Sequence, residues 1–349
     1  VKQLAVRVCC GLESGAFWIG GHLNNLVTVR DANDLIDQGR ILHVAGDEAA
    51  MRQLHRGLWI GGTIPYFLTS EGGVVERERV FVTELPAIVK HVTTHFIDIG
   101  HIPAITTDAP HHGFTIVIAP GMSDIHTAYG LTANSIPGIH EAAVVGWISG
   151  VHLDQVGKLT PKVFDGVTGE VSDNRIVIMR ATIPATKAAV VGIVNVFEPG
   201  DGDAIVFSEP NFSAGPCTIN GRAEDFYDYT MRKGLDLTLP LITELSGQKI
   251  NVSFQKIDHA TRRVHLYAPV MKGRVYHQAA PLPDYRKALI AAAKRLQIDP
   301  AFSCNCILNY VHGKLEGDQF IPLTGPATFG ELAHVLVNQT LVYLILQDK

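Results

Sequence analysis

GPATFGELAHVLVNQTLVYLIL, from Gly325 to Leu346, joins a Gly-Pro turn, a Thr-Phe-Gly-Glu run and an Asn-Gln-Thr triplet to a closing apolar run. Leu341, Val342, Tyr343, Leu344 and Ile345 lack helical alternation, and their length suits one fully buried strand. A chain end is ordinarily frayed unless a sheet ties it down. This strand therefore ties the end into the core and brings polar Thr328, Glu331 and Asn338 beside it. Buried polar groups require partners, so these residues either satisfy backbone groups or line a site.

Upstream, strands and helices alternate. Ile41 to Ala45 reads as a strand, with Asp47 capping a helix to about His55 and Gly57 stopping it. Residues 1–40 hold an apolar start and a short helix capped by Asp31. Val74 to Leu85 alternates as one strand, and Phe114 to Ala119 is another, followed by a helix capped at Ser123-Asp124 and running to about Ala133. Ala142 to Trp147 is a buried strand. Trp59-Ile-Gly-Gly62 and Trp147-Ile-Ser-Gly150 echo each other, as either an internal repeat or a shared packing solution.

Beyond Val163 the pattern turns to β, with strands at Arg175–Ala181, Ala188–Phe197, Asn251–Lys256 and Arg263–Met271. Helices are expected from Ala223 to about Lys233, stopped by Gly234, and from Asp284 to about Leu296. Cys304 to Val311 and Gln319 to Leu323 read as strands. The fold class is α+β, mixed α/β, in two packed halves of mixed sheets flanked by helices.

Hydrophobic residues make up 46% and charged residues 18%, which supplies a large core and argues against disorder. The net charge of −5 and the lack of a basic cluster with aromatics argue against nucleic acid as partner. No 18-residue apolar run marks a membrane span, and Leu4 to Leu12 is too short for a secretory signal, so a cytoplasmic location is expected. The five cysteines (Cys9, Cys10, Cys217, Cys304, Cys306) form no disulfide framework and fit reduced thiols.

Phe302-Ser-Cys304, then Gly325-x-x-Thr-Phe-Gly-Glu331 and Asn338-Gln-Thr340, resembles the end of a FIST sensory domain, the family of F-box and intracellular signal-transduction proteins. Trp59-Ile-Gly-Gly62, Val144-Val-Gly146, Val163-Phe-Asp-Gly166 and Asn220-Gly-Arg-Ala223 resemble further landmarks in order. Two positions depart from the pattern: Cys306-Ile-Leu-Asn309 stands where an Arg commonly follows the Cys, and Pro326-Ala327 replaces an aromatic. The resemblance implies an N-terminal-like half at 1–221 and a C-terminal-like half at 222–349, forming a stand-alone sensory module that binds a small, amino-acid-like metabolite and signals to an unidentified protein partner. No output domain is expected within these 349 residues.

Polar groups converging on apolar walls are what a small-ligand pocket needs. Cys304, Asn305, Thr328, Glu331 and Asn338 supply them, Glu331 suiting a ligand amine. Backbone N–H groups at Gly61, Gly62 and Thr63 suit a ligand carboxylate. A polar network that only braces the last strand is the competing reading. Catalysis is not expected; its best form is a Cys304 nucleophile with His312 or His334 as base, and a scaffold without ligand is a further alternative. Asn211-Phe-Ser-Ala-Gly215 lacks the first glycine of a nucleophile elbow. No phosphate-binding glycine motif and no four-ligand metal spacing occurs, so neither cofactor nor metal is expected.

Overall fold

The computed structural model describes residues 18–19, 22–318 and 323–349. The mixed α+β class holds: strands outnumber helices, and mixed sheets carry short helices at their strand ends. The expectations on Leu4–Leu12, Cys9 and Cys10 fall outside the described residues, as does most of the strand expected at Gln319–Leu323.

Beneath that class lies one topology used three times. The first unit runs β1 (Trp18–Ile19), β2 (His22–Val27), α1 (Val29–Asp37), β3 (Leu42–Gly46), α2 (Glu48–Met51) and β4 (Trp59–Thr63). It closes with the hairpin β5 (Tyr66–Thr69) and β6 (Gly72–Val75) and a return strand β7 (Val80–Glu84). The second unit runs β8 (His91–Ile97), α3 (Ala104–Thr107), β9 (Gly113–Pro120), α4 (Asp124–Thr132) and β10 (Val144–Ser149). Its hairpin is β11 (Val163–Asp165) and β12 (Glu170–Ser172), and its return strand is β13 (Ile176–Thr182).

The third unit opens on β14 (Lys187–Val194) and is then interrupted by an insertion spanning 195–284. The insertion holds β15 (Ile205–Phe207), β16 (Asn211–Ala214), β17 (Pro216–Ile219), β18 (Arg222–Asp225), α5 (Phe226–Lys233) and β19 (Leu241–Leu245). It continues through β20 (Gln248–Val252), β21 (Phe254–Asp258), β22 (Arg263–Val270) and β23 (Val275–Gln278). The unit resumes with α6 (Tyr285–Arg295), β24 (Phe302–Cys306), α7 (Ile307–His312) and β25 (Gly325–Thr328). The hairpin β26 (Glu331–Ala333) and β27 (Val335–Val337) and the return strand β28 (Leu341–Asp348) complete it.

Three sheets then share one order: β2-β7-β3-β4-β11-β12, β8-β13-β9-β10-β26-β27 and β14-β28-β24-β25-β5-β6. In each, the middle pair is parallel and its flanking contacts are antiparallel. Each hairpin leaves its own unit to extend another's sheet, the first unit's going to the third, the second's to the first, and the third's to the second. This cyclic exchange gives every sheet edges from two units, so no unit is complete alone. The boundary expected between 221 and 222 falls in the turn of the β17–β18 hairpin, within the insertion.

The units meet at aromatic junctions drawing one residue from each. His43 lies edge-on to Trp147, with ring centroids 5.6 Å apart, and to Phe302, at 5.0 Å. The Trp147 indole N–H donates to His43 Nε2 at 2.7 Å. Toward the strand ends, Tyr66 stacks on His152 and meets Tyr310 edge-on. The echo between Trp59 and Trp147 is therefore not the equivalence within the repeat. Trp59 packs among the residues under α1 and α2, whereas Trp147 faces the centre, and Gly62 is the β4 residue that faces it. A one-residue change of register reverses every side chain in a strand, which a four-residue motif does not reveal.

Several element limits also move. Thr28, not Asp31, caps α1, its hydroxyl accepting from the Asp31 N–H. The helix after Asp47 stops at Met51, and α5 starts at Phe226 because Arg222–Asp225 pairs with β17. Val74–Leu85 is broken by a turn in which Glu76 accepts from the N–H groups of Arg77 and Glu78. Asn251–Lys256 breaks at Ser253. Cys304–Val311 is half strand and half helix, turning into α7 after Cys306.

Candidate functional site

A cavity of about 510 Å³ opens where the parallel strands of the second and third units end. Gly121 and Met122 follow β9, Leu153 and Val156 follow β10, Ile307 and Leu308 follow β24, and Phe329 follows β25. Open α/β sheets bind ligands beyond the carboxyl ends of their strands, where diverging loops leave room. The far wall belongs to the insertion: Phe212 of β16, Leu237 and Thr238, Phe254 and Gln255 of β21, and His265 to Tyr267 of β22.

Among the described residues, no Asp, Glu, Lys or Arg lines this cavity. Its polar groups are Thr127, Thr238, Gln255, Tyr267 and three histidines, His126, His265 and His312. His126 Nδ1 accepts from the Met122 N–H at 3.3 Å, which leaves the proton on Nε2, and burial lowers its pKa to about 4. Burial lowers His312 as well, against the opposing pull of Asp236. The Tyr267 hydroxyl has no partner among the described residues, and burial followed by the neighbouring Cys306 raises its pKa. Met122 holds a left-handed backbone at φ 59° and is 51% exposed at the mouth, beside half-exposed Leu153, Val156 and Val311. Such a conformation is uncommon for a non-glycine residue.

Behind this cavity lie the site residues expected from the C-terminal stretch. Thr328 Oγ1 lies 3.0 Å from the Asn305 carbonyl and 2.9 Å from that of Gly330, donating between them. Asn305 Oδ1 accepts from the Cys306 N–H at 2.8 Å and from Asn309 Nδ2 at 2.7 Å. Asn309 Nδ2 also reaches the Thr340 carbonyl at 2.9 Å, while Tyr285 donates its hydroxyl to Asn309 Oδ1. Glu331 Oε1 accepts from the Thr340 N–H at 3.1 Å and hydroxyl at 2.5 Å. Burial raises the Glu331 pKa to about 8, so the carboxyl is mainly protonated at neutral pH.

The network is not fully satisfied. Asn305 Nδ2, Glu331 Oε2 and both polar atoms of Asn338 have no hydrogen-bond partner among the described residues, although each residue is at most 1% exposed. The Cys306 thiol lies close enough to Glu331 to influence its protonation, but no well-formed hydrogen bond reaches Oε2. A network that only braces a strand leaves few such atoms, because each orphan costs about 1–3 kcal/mol.

Cys304 lies apart from this network. Its thiol donates to the Gly146 carbonyl at 3.4 Å, and burial, with Glu331 second, raises its pKa well above the usual thiol range. No histidine among the described residues is hydrogen-bonded to it, and His312 instead lines the cavity. A nucleophilic thiol needs the opposite setting. No group of three or more metal-ligating side chains occurs among the described residues.

Gly61, Gly62 and Thr63 do not join the C-terminal residues. They lie in β4, whose backbone groups are taken up by β3 on one side and β11 on the other. The Thr63 N–H donates to the Lys162 carbonyl, and its hydroxyl accepts from the Lys162 N–H at 2.9 Å. The glycines serve packing: a Cβ on Gly61 would fall 2.4 Å from the Val44 carbonyl oxygen, and one on Gly62 2.9 Å from Ile118. The expected carboxylate-binding site at these N–H groups is corrected to a tight sheet contact.

Sequence reasoning missed the cavity wall. Phe329 stood within the stretch first read, between Thr328 and Glu331, and Met122 directly before the Ser123-Asp124 helix cap. The signal in β22 was weaker, a polar His265 and Tyr267 alternating with core residues. Nothing local indicated that an inserted sheet would face α7.

No curated protein and no solved structure matches the chain. A family model described as a family of unknown function, DUF6976, matches residues 27–347, so the chain belongs to that family.

Proposed function

We propose that this protein binds a small, uncharged and mainly apolar molecule in the cavity between its second unit, its third unit and the insertion. The observation carrying this reading is the lining itself: about 510 Å³ of largely apolar wall, a few hydrogen-bonding groups and no charged side chain. The FIST resemblance implies an amino-acid-like ligand. A zwitterion would need a partner for each charge, and the lining supplies neither, so a neutral relative suits the site better.

Binding rather than catalysis is the reading because burial raises the Cys304 pKa, its thiol donates to the Gly146 carbonyl, and no histidine among the described residues is hydrogen-bonded to it. No helix among the described residues is long and apolar enough to cross a membrane. The free thiols Cys217, Cys304 and Cys306 support a reducing, cytoplasmic setting. Signalling to a protein partner stays part of the proposal through the family resemblance alone.

The test uses the neutral fluorophore N-phenyl-1-naphthylamine. Wild-type protein is expected to enhance its emission saturably, and Val311→Trp, which fills the mouth, to weaken binding at least tenfold while retaining native circular dichroism. Absence of saturable binding by the wild type would sink the reading.

A further inference from the structure

The unsatisfied atoms behind the cavity form one connected patch. Glu331 joins Thr340, Thr340 joins Asn309, Asn309 joins Asn305, and the Thr328 hydroxyl links the Asn305 carbonyl to that of Gly330. Asn338 closes it, since a Cβ on Gly330 would lie 3.6 Å from its Nδ2. The patch adjoins the cavity through its own chain neighbours. Phe329 sits between Thr328 and Gly330, Ile307 follows Cys306, and Tyr267 is near Cys306.

Four buried polar atoms therefore have no partner among the described residues, and the segments carrying Asn305 and Glu331 run directly into the cavity-lining Ile307 and Phe329. We propose that Asn305, Glu331 and Asn338 are the inner, polar pole of the ligand site, and that they receive an uncharged head group of the carboxamide type. The proposal rests on the cavity reading above and extends it to the head group. Asn305 Nδ2 and Asn338 Nδ2 offer donors, Asn338 Oδ1 offers an acceptor, and a protonated Glu331 offers either. A carboxylate would face Asn338 Oδ1 without a counter-cation. An ammonium would face two amide donors. A carboxamide, with one carbonyl and two N–H bonds, matches both halves of the set. The raised Glu331 pKa fits the same picture, because a neutral carboxyl leaves the pole without net charge.

The experiment measures displacement of N-phenyl-1-naphthylamine from the intact chain by 3-phenylpropionamide and by isopentylbenzene, its apolar isostere. Asn338→Leu is expected to raise the amide midpoint about tenfold, the equivalent of one good hydrogen bond, and to leave the hydrocarbon midpoint within twofold. Should that variant misfold, the wild type carries the test by pH. Amide affinity is expected to fall severalfold as pH rises through about 8, and this fall to vanish in Glu331→Gln. Fluorophore binding with an amide response indifferent to both Asn338→Leu and pH overturns this inference alone and leaves the pole as a water site. No fluorophore binding by the wild type overturns the cavity reading and this inference with it.

Discussion

The first and third units end their parallel strand pairs in the same topology and opposite physical states. At the end of β3 and β4, Asp47 caps α2 by accepting from the Ala49 N–H, Thr63 exchanges hydrogen bonds with Lys162, and glycines let the backbone close. The space left there is about 20 Å³. At the end of β24 and β25, Cys306 caps α7 without a side-chain hydrogen bond, polar atoms stand unpaired, and the cavity is about 510 Å³. The difference teaches where local rules are obeyed and where they are broken. Departures from full satisfaction concentrate where function does, because the rest of the fold must offset them.

The largest effect is expected at the junction that holds the units together. Trp147→Ala removes the central indole and leaves His43 Nε2 without its donor, which is expected to cost about 4 kcal/mol in urea unfolding. A loss below about 1 kcal/mol would break the claim that the units meet there. Gly62→Val should cost about 3 kcal/mol, since its Cβ would lie 2.9 Å from Ile118 and 3.0 Å from Trp147. Full tolerance of valine would show the closed end to be looser than its geometry.

The next effect separates the ends by pH. Glu331 has a folded pKa of about 8 against an ordinary 4.5, so between those values the folded state holds a proton that the unfolded state has released. Stability is then full below about pH 4.5 and declines as pH rises to about 8. His43 acts in the opposite sense. Its folded pKa of about 3, against 6.5, gives stability that is complete above 6.5 and lost as pH falls toward 3. Urea midpoints of Glu331→Gln should lose the decline toward pH 8 and keep the acid decline. An unchanged profile would mean that Glu331 is ionised in the folded protein.

The smallest effect is a gain. Asn338→Leu replaces two unpartnered buried atoms with apolar ones of similar size and is expected to stabilise by about 1 kcal/mol in thermal unfolding. Destabilisation beyond about 1 kcal/mol would reveal partners for Asn338 and remove the contrast between the ends.

Much of the architecture was legible because it rests on short-range chemistry. Ser123 and Asp284 cap α4 and α6 as read, and Gly234 ends α5 in the left-handed conformation. The closing apolar run is a strand pairing with β14 and β24, although only Leu341, Val342 and Leu344 are buried and Tyr343 and Ile345 are half-buried. The C-terminal polar set was also legible, since Asn305, Thr328, Glu331 and Asn338 are buried beside it. Gly61, Gly62 and Thr63 misled for a physical reason: paired glycines mark a close backbone approach, and the partner here is β3 and α2 rather than a ligand. The cavity was illegible because its walls come from residues far apart in the chain.

The sequence by itself determined that most of these stretches form strands or helices, though not their limits, which faces are apolar, and that polar residues would be buried near the last strand. Periodicity, capping and composition act over a few residues and are written there. Only the tertiary structure decided that three units exchange hairpins, that Trp147 rather than Trp59 faces the centre, and that an insertion opens one strand end while glycines close another. Those outcomes depend on pairing and register between distant segments, and a single-residue slip in either would reverse them.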